Sequence, residues 1–389
     1  MATTMHLPAA RERASVAAAR PATRETVWRL AGATIMSLAV TAFLVGTAWD
    51  IQWHSSVGRD RVLTYPHIMM LGGIAVAGLT SLALILLDTW RARRGQGVDA
   101  TNSSRMFGIF QAPVGLAAAG FGALLALIAF PLDDYWHTLY GIDVTLWAPF
   151  HIMLGFSVLL IEIGVLYFLA GERNRMVEGR TRALTDIGFL ANLAVALGML
   201  MILVVQGDSK EGLGRLGSYQ FVFYPILVAL LLPLGLVTAT RVTQRPGAAT
   251  VVALVFLILR QVMFAFVPWA MDIAVNAEGL AYRPHAANFA IAPFAFPTGI
   301  LAAALVVDVL AWRVRRGAPA WLVPATAAAT ALLVTFWDQP WASILPKYFY
   351  PGLDVTAVLL HALPFTLATT LLGTGLALLL SRGLEAVRQ

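Results

Sequence analysis

Cysteine is absent from the 389-residue sequence, which excludes disulfide bonds, thiolate metal sites and cysteine nucleophiles. Charged residues are also scarce. They make up 12% of the chain, whereas about 25% is typical of soluble domains. Hydrophobic residues account for 59%, and the mean hydropathy is +0.75. This composition excludes an ordinary soluble enzyme and predicts a membrane protein.

Ten apolar runs are long enough to cross about 30 Å of hydrocarbon as helices. Helices are the expected form because each backbone polar group must be satisfied within lipid. The sequence therefore predicts an all-α integral membrane protein of about ten transmembrane helices. The runs cover 28–49, 65–88, 107–130, 147–170, 184–206, 217–240, 247–270, 287–312, 318–337 and 355–381.

The charges divide between the two sides of this predicted bundle. Most of the 27 Lys and Arg lie in the N-terminal arm and in alternate short loops, which by the positive-inside bias places both termini in the cytoplasm. This pattern signals topology in a multi-pass plasma-membrane protein and not a nucleic-acid partner. Six of the seven histidines fall at the opposite, extracytoplasmic helix ends. They are His54, His67, His137, His151, His285 and His361.

Two of the extracytoplasmic loops repeat one constellation of residues. In both, Asp, Trp, His, Gly and Asp recur at identical offsets, and a proline then precedes a second His. The first loop contains Asp50, Trp53, His54, Gly58, Asp60 and His67. The second contains Asp133, Trp136, His137, Gly141, Asp143 and His151. Repeated helical hairpins of shared ancestry are the simplest explanation.

The spacing within each constellation favours a metal site. Asp50 and His54 are four residues apart, as are Asp133 and His137, so each pair shares one face of a helix end. The later histidine opens the returning helix beside its partners. Two imidazoles and one carboxylate suit Cu(II), zinc or non-haem iron. Asp60 and Asp143 are candidates for orienting an imidazole N–H, with Trp53 and Trp136 beside the ligands. The alternative is a set of interfacial polar residues joined only by hydrogen bonds.

At these residues the sequence resembles the C subunit of the copper membrane monooxygenases, the particulate methane and ammonia monooxygenase family. Asp50, His54 and His67 fit that family's Asp-x3-His-x12-His triad. Asp133, His137 and His151 fit its second cluster, Asn-x3-His-x13-His, except that Asp133 replaces the amide. The resemblance covers about 28–175.

The resemblance implies copper-dependent O2 chemistry on a small apolar or ammonia-like substrate, or copper or electron supply to such a site. It also implies other monooxygenase subunits as partners, and a homo-oligomer is the alternative. Together with the predicted helices, the resemblance divides the chain into a cytoplasmic arm at 1–27, a four-helix metal-binding half at 28–175 and a six-helix half at 176–389.

The second half carries weaker echoes of the hairpin motif. Asp272, Glu278 and His285 keep the steps of six and seven residues, and His361 lies seven residues after Asp354. We interpret Asp272, Glu278, His285 and His361 as a candidate degenerate third site.

Ionisable residues within the apolar runs are costly and often functional. Asp88 and Asp308 lie near the arginine-rich ends, where they are expected to reach water. Glu162 and Arg260 lie deeper, and their opposite charges suggest an ion pair inside the bundle.

Two further functions compete with the oxidation chemistry. A metal ion transporter or metal-delivery protein would use the same ligands as an entry site and would continue polar residues through the bundle. A haem protein with two histidine ligands ranks third, because an aspartate one turn before each histidine is unnecessary for haem.

Overall fold

The computed structural model describes residues 23–58, 61, 63–96, 103–141, 148–205, 213–286, 289–337, 352 and 354–387. These residues form a helical bundle with two small β-hairpins. The helices are α1 (Arg24–Ser56), α2 (Tyr65–Arg93), α3 (Val114–Tyr140), α4 (Pro149–Arg175), α5 (Arg180–Val205), α6 (Phe223–Thr243), α7 (Ala248–Ala277), α8 (Ile300–Arg315), α9 (Leu322–Trp337) and α10 (Val355–Ala386). The antiparallel strands are β1 (Ser104–Met106) with β2 (Phe110–Ala112), and β3 (Leu213–Leu216) with β4 (Tyr219–Val222).

Nine helices in the described part of the chain are long and apolar enough to cross a membrane. The eighth of the ten predicted runs reaches this length only when the 3-10 turn Ala292–Ala295 is counted with α8. The ninth is described only as far as Trp337, and within these bounds its apolar segment is Leu322–Val334. The prediction of a multi-pass, all-α membrane protein is confirmed at this level. The cytoplasmic placement of the termini stays a prediction.

The first four helices form two tight antiparallel hairpins, α1 with α2 and α3 with α4. Glycine permits their close approach. A Cβ atom on Gly73 of α2 would lie 2.5 Å from the carbonyl oxygen of Ala39 in α1. A Cβ on Gly122 of α3 would lie 2.5 Å from the carbonyl oxygen of Ser157 in α4. Small residues at such crossings let helix backbones pack closely in a membrane.

One end of the bundle, here called the arginine end, is joined by buried ion pairs. Arg29 of α1 donates to Asp88 Oδ2 of α2 at 2.7 Å and lies 3.3 Å from Glu172 Oε1 of α4. All three residues are buried. The expectation that Asp88 reaches water is therefore wrong, because the carboxylate is instead paired with Arg29.

A second ion cluster at the arginine end joins α4, α5 and the α6–α7 turn. Arg173 donates to Asp186 Oδ1 at 2.5 Å and to the Thr243 carbonyl oxygen at 2.7 Å. Arg245 donates to Asp186 Oδ2 at 2.7 Å and to Glu178 at 2.8 Å. These bonds raise the pKa of Arg245, with the Asp186 bond as the main cause. The cluster thus fixes three consecutive helices to one another.

The two other acidic residues of the apolar runs, Asp308 and Glu162, have different surroundings. Asp308 of α8 accepts hydrogen bonds from the backbone N–H of Ala249 and Thr250, so it caps the start of α7. Glu162 is fully buried, and none of the described residues makes a hydrogen bond to either of its carboxyl oxygens. Arg260 lies over the ring of Phe264, 4.7 Å from its centroid. The suggested Glu162–Arg260 ion pair is not among the contacts of the described residues.

Candidate metal centres

The first cluster consists of Asp50, His54 and His67, at the end of the bundle opposite the arginine end. Asp50 and His54 lie in the last two turns of α1. The Thr64 side chain caps α2, and Pro66 occupies its first turn, which fixes the backbone at His67. The His54 Nε2 atom lies 3.5 Å from Asp50 Oδ2, and His67 Nε2 lies 3.2 Å from Asp50 Oδ1. One carboxylate therefore faces two imidazoles across the α1–α2 hairpin.

The second cluster, Asp133, His137 and His151, repeats this arrangement across the α3–α4 hairpin. His137 Nε2 lies 3.5 Å from Asp133 Oδ2, and His151 Nε2 lies 3.4 Å from the same oxygen. Pro149 occupies the first turn of α4, as Pro66 does in α2. The centroids of the His137 and His151 rings are 5.5 Å apart, compared with 6.3 Å between the His54 and His67 rings of the first cluster. All six predicted ligands are thus brought together in the predicted groups of three.

The spacing of the donor atoms suits a small divalent ion. In each cluster, one ligand atom per residue lies within 4.8 Å of the other two. Two donors bound tetrahedrally at ~2.1 Å from one ion are separated by about 3.4 Å. The nitrogen-to-oxygen distances of 3.2–3.5 Å match this separation. The ligand side chains are 14–24% exposed, so an ion has an approach from solvent.

One histidine in each cluster faces hydrogen-bond acceptors on both ring nitrogens. His67 Nδ1 lies 3.0 Å from the Arg61 carbonyl oxygen, and His137 Nδ1 lies 3.2 Å from that of Gly141. A carbonyl oxygen only accepts, so each Nδ1 carries the hydrogen. In a neutral ring, Nε2 then presents a lone pair toward the aspartate. The position between Nε2 and the aspartate oxygen therefore suits a metal ion.

The residues predicted to support the ligands are only partly described. The Trp53 side chain is buried in the core, and its carbonyl oxygen accepts the N–H groups of Val57 and Gly58 at the end of α1. Trp136 packs against Tyr140 and against Phe150, the neighbour of His151. Asp60 and Asp143 lie outside the described residues. The predicted role of these two aspartates stays a prediction.

The candidate third site does not assemble into a comparable cluster. Asp272 accepts a hydrogen bond from the Tyr282 hydroxyl at 2.6 Å, and Glu278 ends α7 as its C-cap. His361 of α10 stacks on Tyr219 and donates from Nδ1 to the Gln220 carbonyl oxygen. Partial burial and the Asp272 bond raise the pKa of Tyr282. Among the residues that the structure describes, groups of three metal ligands occur only in the first and second clusters.

The sequence pattern gave no indication of a contact between the first cluster and the α7–α8 connection. The Arg283 backbone N–H donates to the Ser56 carbonyl oxygen at 2.8 Å. The Arg283 Nη1 atom lies 3.4 Å from the His54 carbonyl oxygen. Gln52 accepts a hydrogen bond from the Ile291 N–H at 3.0 Å. The six-helix half therefore touches the end of α1 that carries two ligands.

Comparisons with known proteins return no relative: no family model, no curated protein and no solved structure matches the chain.

Proposed function

We propose that the protein binds copper at the first and second clusters and takes part in O2-dependent oxidation of a small apolar or ammonia-like substrate. Supply of copper or electrons to a neighbouring oxidation site is the second form of the same proposal. The support is the grouping of six residues into two aspartate–histidine–histidine sets with metal-like spacing. The resemblance of these residues to the monooxygenase C subunit supplies the choice of metal and reaction.

The observation that carries the proposal is the pair of acceptors around His67 and around His137. A direct hydrogen bond between Nε2 and the carboxylate would need one further proton, on either the ring or the carboxylate. A metal ion satisfies the Nε2 lone pair and the aspartate together, while the backbone carbonyl holds Nδ1 and fixes the tautomer. Two imidazoles and a carboxylate suit Cu(II), and also zinc or non-haem iron. Bound copper would supply a one-electron redox couple at the end of the bundle.

The first test is the metal content of protein purified in detergent without chelators. We expect up to two copper ions per chain, with His67→Gln and His151→Gln each removing about one. His361→Gln is the matched control, because this histidine lies outside both clusters and its replacement still offers a donor to Gln220. Zinc or iron in place of copper would refute the choice of metal. No bound metal would refute the proposal as a whole.

We also propose that both clusters face the extracytoplasmic side of the plasma membrane. The arginine-rich loops at the opposite end support this orientation through the positive-inside bias. The natural absence of cysteine makes the test simple. A membrane-impermeant maleimide applied to intact cells should label Tyr140→Cys, near the second cluster, and leave Gln96→Cys unlabelled. The reverse labelling pattern would overturn the orientation.

Metal transport is the second candidate, and Glu162 is the observation that favours it. This carboxyl lies in α4, eleven residues beyond the ligand His151, which is about 17 Å along the helix. An ionisable side chain at that depth marks many ion pathways. Copper uptake into proteoliposomes that is lost in both His54→Ala and Glu162→Gln would favour transport over oxidation. Copper binding without uptake would exclude it.

A further inference from the structure

We infer that the α7–α8 connection positions the first cluster through contacts that the described residues do not repeat at the second cluster. Arg283 and Gln52 are the residues that carry the effect, and Gly58 makes room for it. The inference rests on the proposed metal binding. It adds that the two clusters, which have the same ligand composition, differ in how their ligands are held in position. We therefore expect the first cluster to bind its ion more tightly with the Arg283 and Gln52 contacts in place than without them.

Gly58 and Gly141 occupy the same place relative to the two clusters. Each follows its aspartate by eight residues, and both have positive φ, +71° and +83°. At Gly58, a Cβ atom would lie 1.4 Å from Nη2 of Arg283. At Gly141, none of the described residues has an atom within 4 Å of such a Cβ, its chain neighbours aside. The guanidinium therefore occupies a space at one hairpin tip that no described residue fills at the other.

The contacts of the connection fix the backbone of the first cluster. Arg283 bonds through its backbone N–H to Ser56, and its guanidinium lies against the carbonyl oxygen of the ligand His54. Gln52 lies between the ligands Asp50 and His54 in the sequence, and its side chain is buried. It accepts a hydrogen bond from the Ile291 N–H and donates one to the Ser56 hydroxyl at 2.8 Å. The Arg283 backbone and guanidinium and, independently, the Gln52 side chain thus tie the last turn of α1 to the six-helix half.

At the second cluster, the contacts given for the end of α3 stay within the α3–α4 hairpin, and the hydrogen bonds run within α3 and its cap. Gly141 donates to the His137 carbonyl oxygen, and the Gly141 carbonyl oxygen holds His137 Nδ1. The Thr138 hydroxyl bonds to the Asp134 carbonyl oxygen, one turn back. Among the described residues, the end of α1 is thus tied to a distant part of the chain by hydrogen bonds of a kind that is not given for the end of α3.

The consequence for metal binding follows from preorganisation. Groups that orient metal ligands commonly change metal affinity by about 10–100-fold when they are removed. Arg283 is exposed, so water screens its charge, and its main effect is through the position of the His54 backbone. We expect loss of the connection to weaken the first cluster about tenfold or more and to leave the second cluster unchanged.

The experiment measures each cluster separately in the full-length protein. A His137→Gln/His151→Gln background leaves only the first cluster to bind, and a His54→Gln/His67→Gln background leaves only the second. Cu(II) is titrated into each purified background against a competing chelator, and the electron paramagnetic resonance spectrum of bound Cu(II) is recorded.

Arg283→Ala and Gln52→Leu are expected to raise the copper Kd of the first cluster about tenfold or more and to alter its spectrum. Arg283→Lys should restore part of the affinity. Gly58→Ala should reproduce the loss by displacing the guanidinium, whereas Gly141→Ala, with the same backbone strain, should leave the Kd of the second cluster within about twofold. The second-cluster background should not respond to Arg283→Ala, which shows that the variant folds.

An equal change at both clusters, or no change at the first, would overturn the positioning role while leaving the proposed function intact. Absence of copper binding in both parent backgrounds would instead overturn the proposed function and the positioning role together.

Discussion

The close contact between α3 and α4 predicts that one methyl group will weaken the second cluster from a distance. In Gly122→Ala, the new Cβ would lie 2.5 Å from the Ser157 carbonyl oxygen, whereas ordinary contact begins at 3.4 Å. The two helices must therefore separate locally by about 0.9 Å. Such overpacking costs about 1–3 kcal/mol, partly offset by about 1 kcal/mol from the better helix propensity of alanine.

The separation matters because the two helices share the ligands of the second cluster. Ser157 is six residues from His151, about 9 Å along α4, and Asp133 lies on α3. Metal–ligand distances tolerate only about 0.2 Å of change, so a shift of this size spoils the 3.4 Å spacing of His151 and Asp133. We expect copper affinity at the second cluster to fall about tenfold or more, with the first cluster unaffected.

Gly155→Ala is the matched control for this prediction. Gly155 is exposed on α4, one turn from His151, and none of the described residues has an atom within 4 Å of its built Cβ, its chain neighbours and own helix aside. Copper is titrated into the background that lacks the first-cluster histidines, and unfolding is followed in the same samples. Equal copper affinity in the Gly122→Ala and Gly155→Ala proteins would refute the reasoning.

Three further predictions concern stability. Arg29→Met removes the partner of the buried Asp88 carboxylate, and we expect a loss of about 3–5 kcal/mol in unfolding measured in detergent micelles. Glu162→Met removes a buried carboxyl to which none of the described residues makes a hydrogen bond, so unfolding should need equal or higher denaturant, a change of about 0–4 kcal/mol. The raised pKa of Tyr282, caused by partial burial and by Asp272, adds stability that is present below the unfolded value of 10.0 and is lost as pH rises beyond it. Tyr282→Phe should therefore flatten the stability curve in alkaline solution, as measured by the pH dependence of the unfolding midpoint.

Each of these predictions has a control or a contrary outcome. Arg315→Met replaces an exposed arginine at the same end of the bundle and should change stability by less than about 0.5 kcal/mol. A clear loss of stability in Glu162→Met would indicate that the carboxyl serves a structural role. An unchanged alkaline profile in Tyr282→Phe would assign that profile to other groups.

Most of the helical architecture could be predicted from hydropathy, because apolar runs of about 20 residues have few alternatives in lipid. Hydropathy reports contact with lipid and not helix length. The first predicted run ends at 49, whereas α1 continues to Ser56 and carries Asp50 and His54 on its last turns. The two β-hairpins escaped prediction because their strands have only three or four residues.

The ligand groups were also predictable, since an interval of four residues on a helix and a hairpin turn bring the side chains together. Contacts between distant segments were not. Arg29 lies at the start of the first apolar run, where the sequence shows only a cation next to the arginine-rich arm, but in the bundle it is buried against Asp88 and Glu172. Nothing in the spacing of the sequence relates Arg283 to His54, because 229 residues separate them and only the packed bundle makes them neighbours.

The ion cluster around Arg173 has a consequence for how the chain is made. Arg173 lies in the last turn of α4, but the Asp186 carboxylate and the Thr243 carbonyl oxygen that satisfy it belong to α5 and α6. The buried position of Arg173 is therefore complete only after α5 and α6 have packed against α4. Until then, this guanidinium must stay at the water boundary, because burying an unpaired charge is costly. The first four helices thus depend on the later part of the chain to complete their assembly.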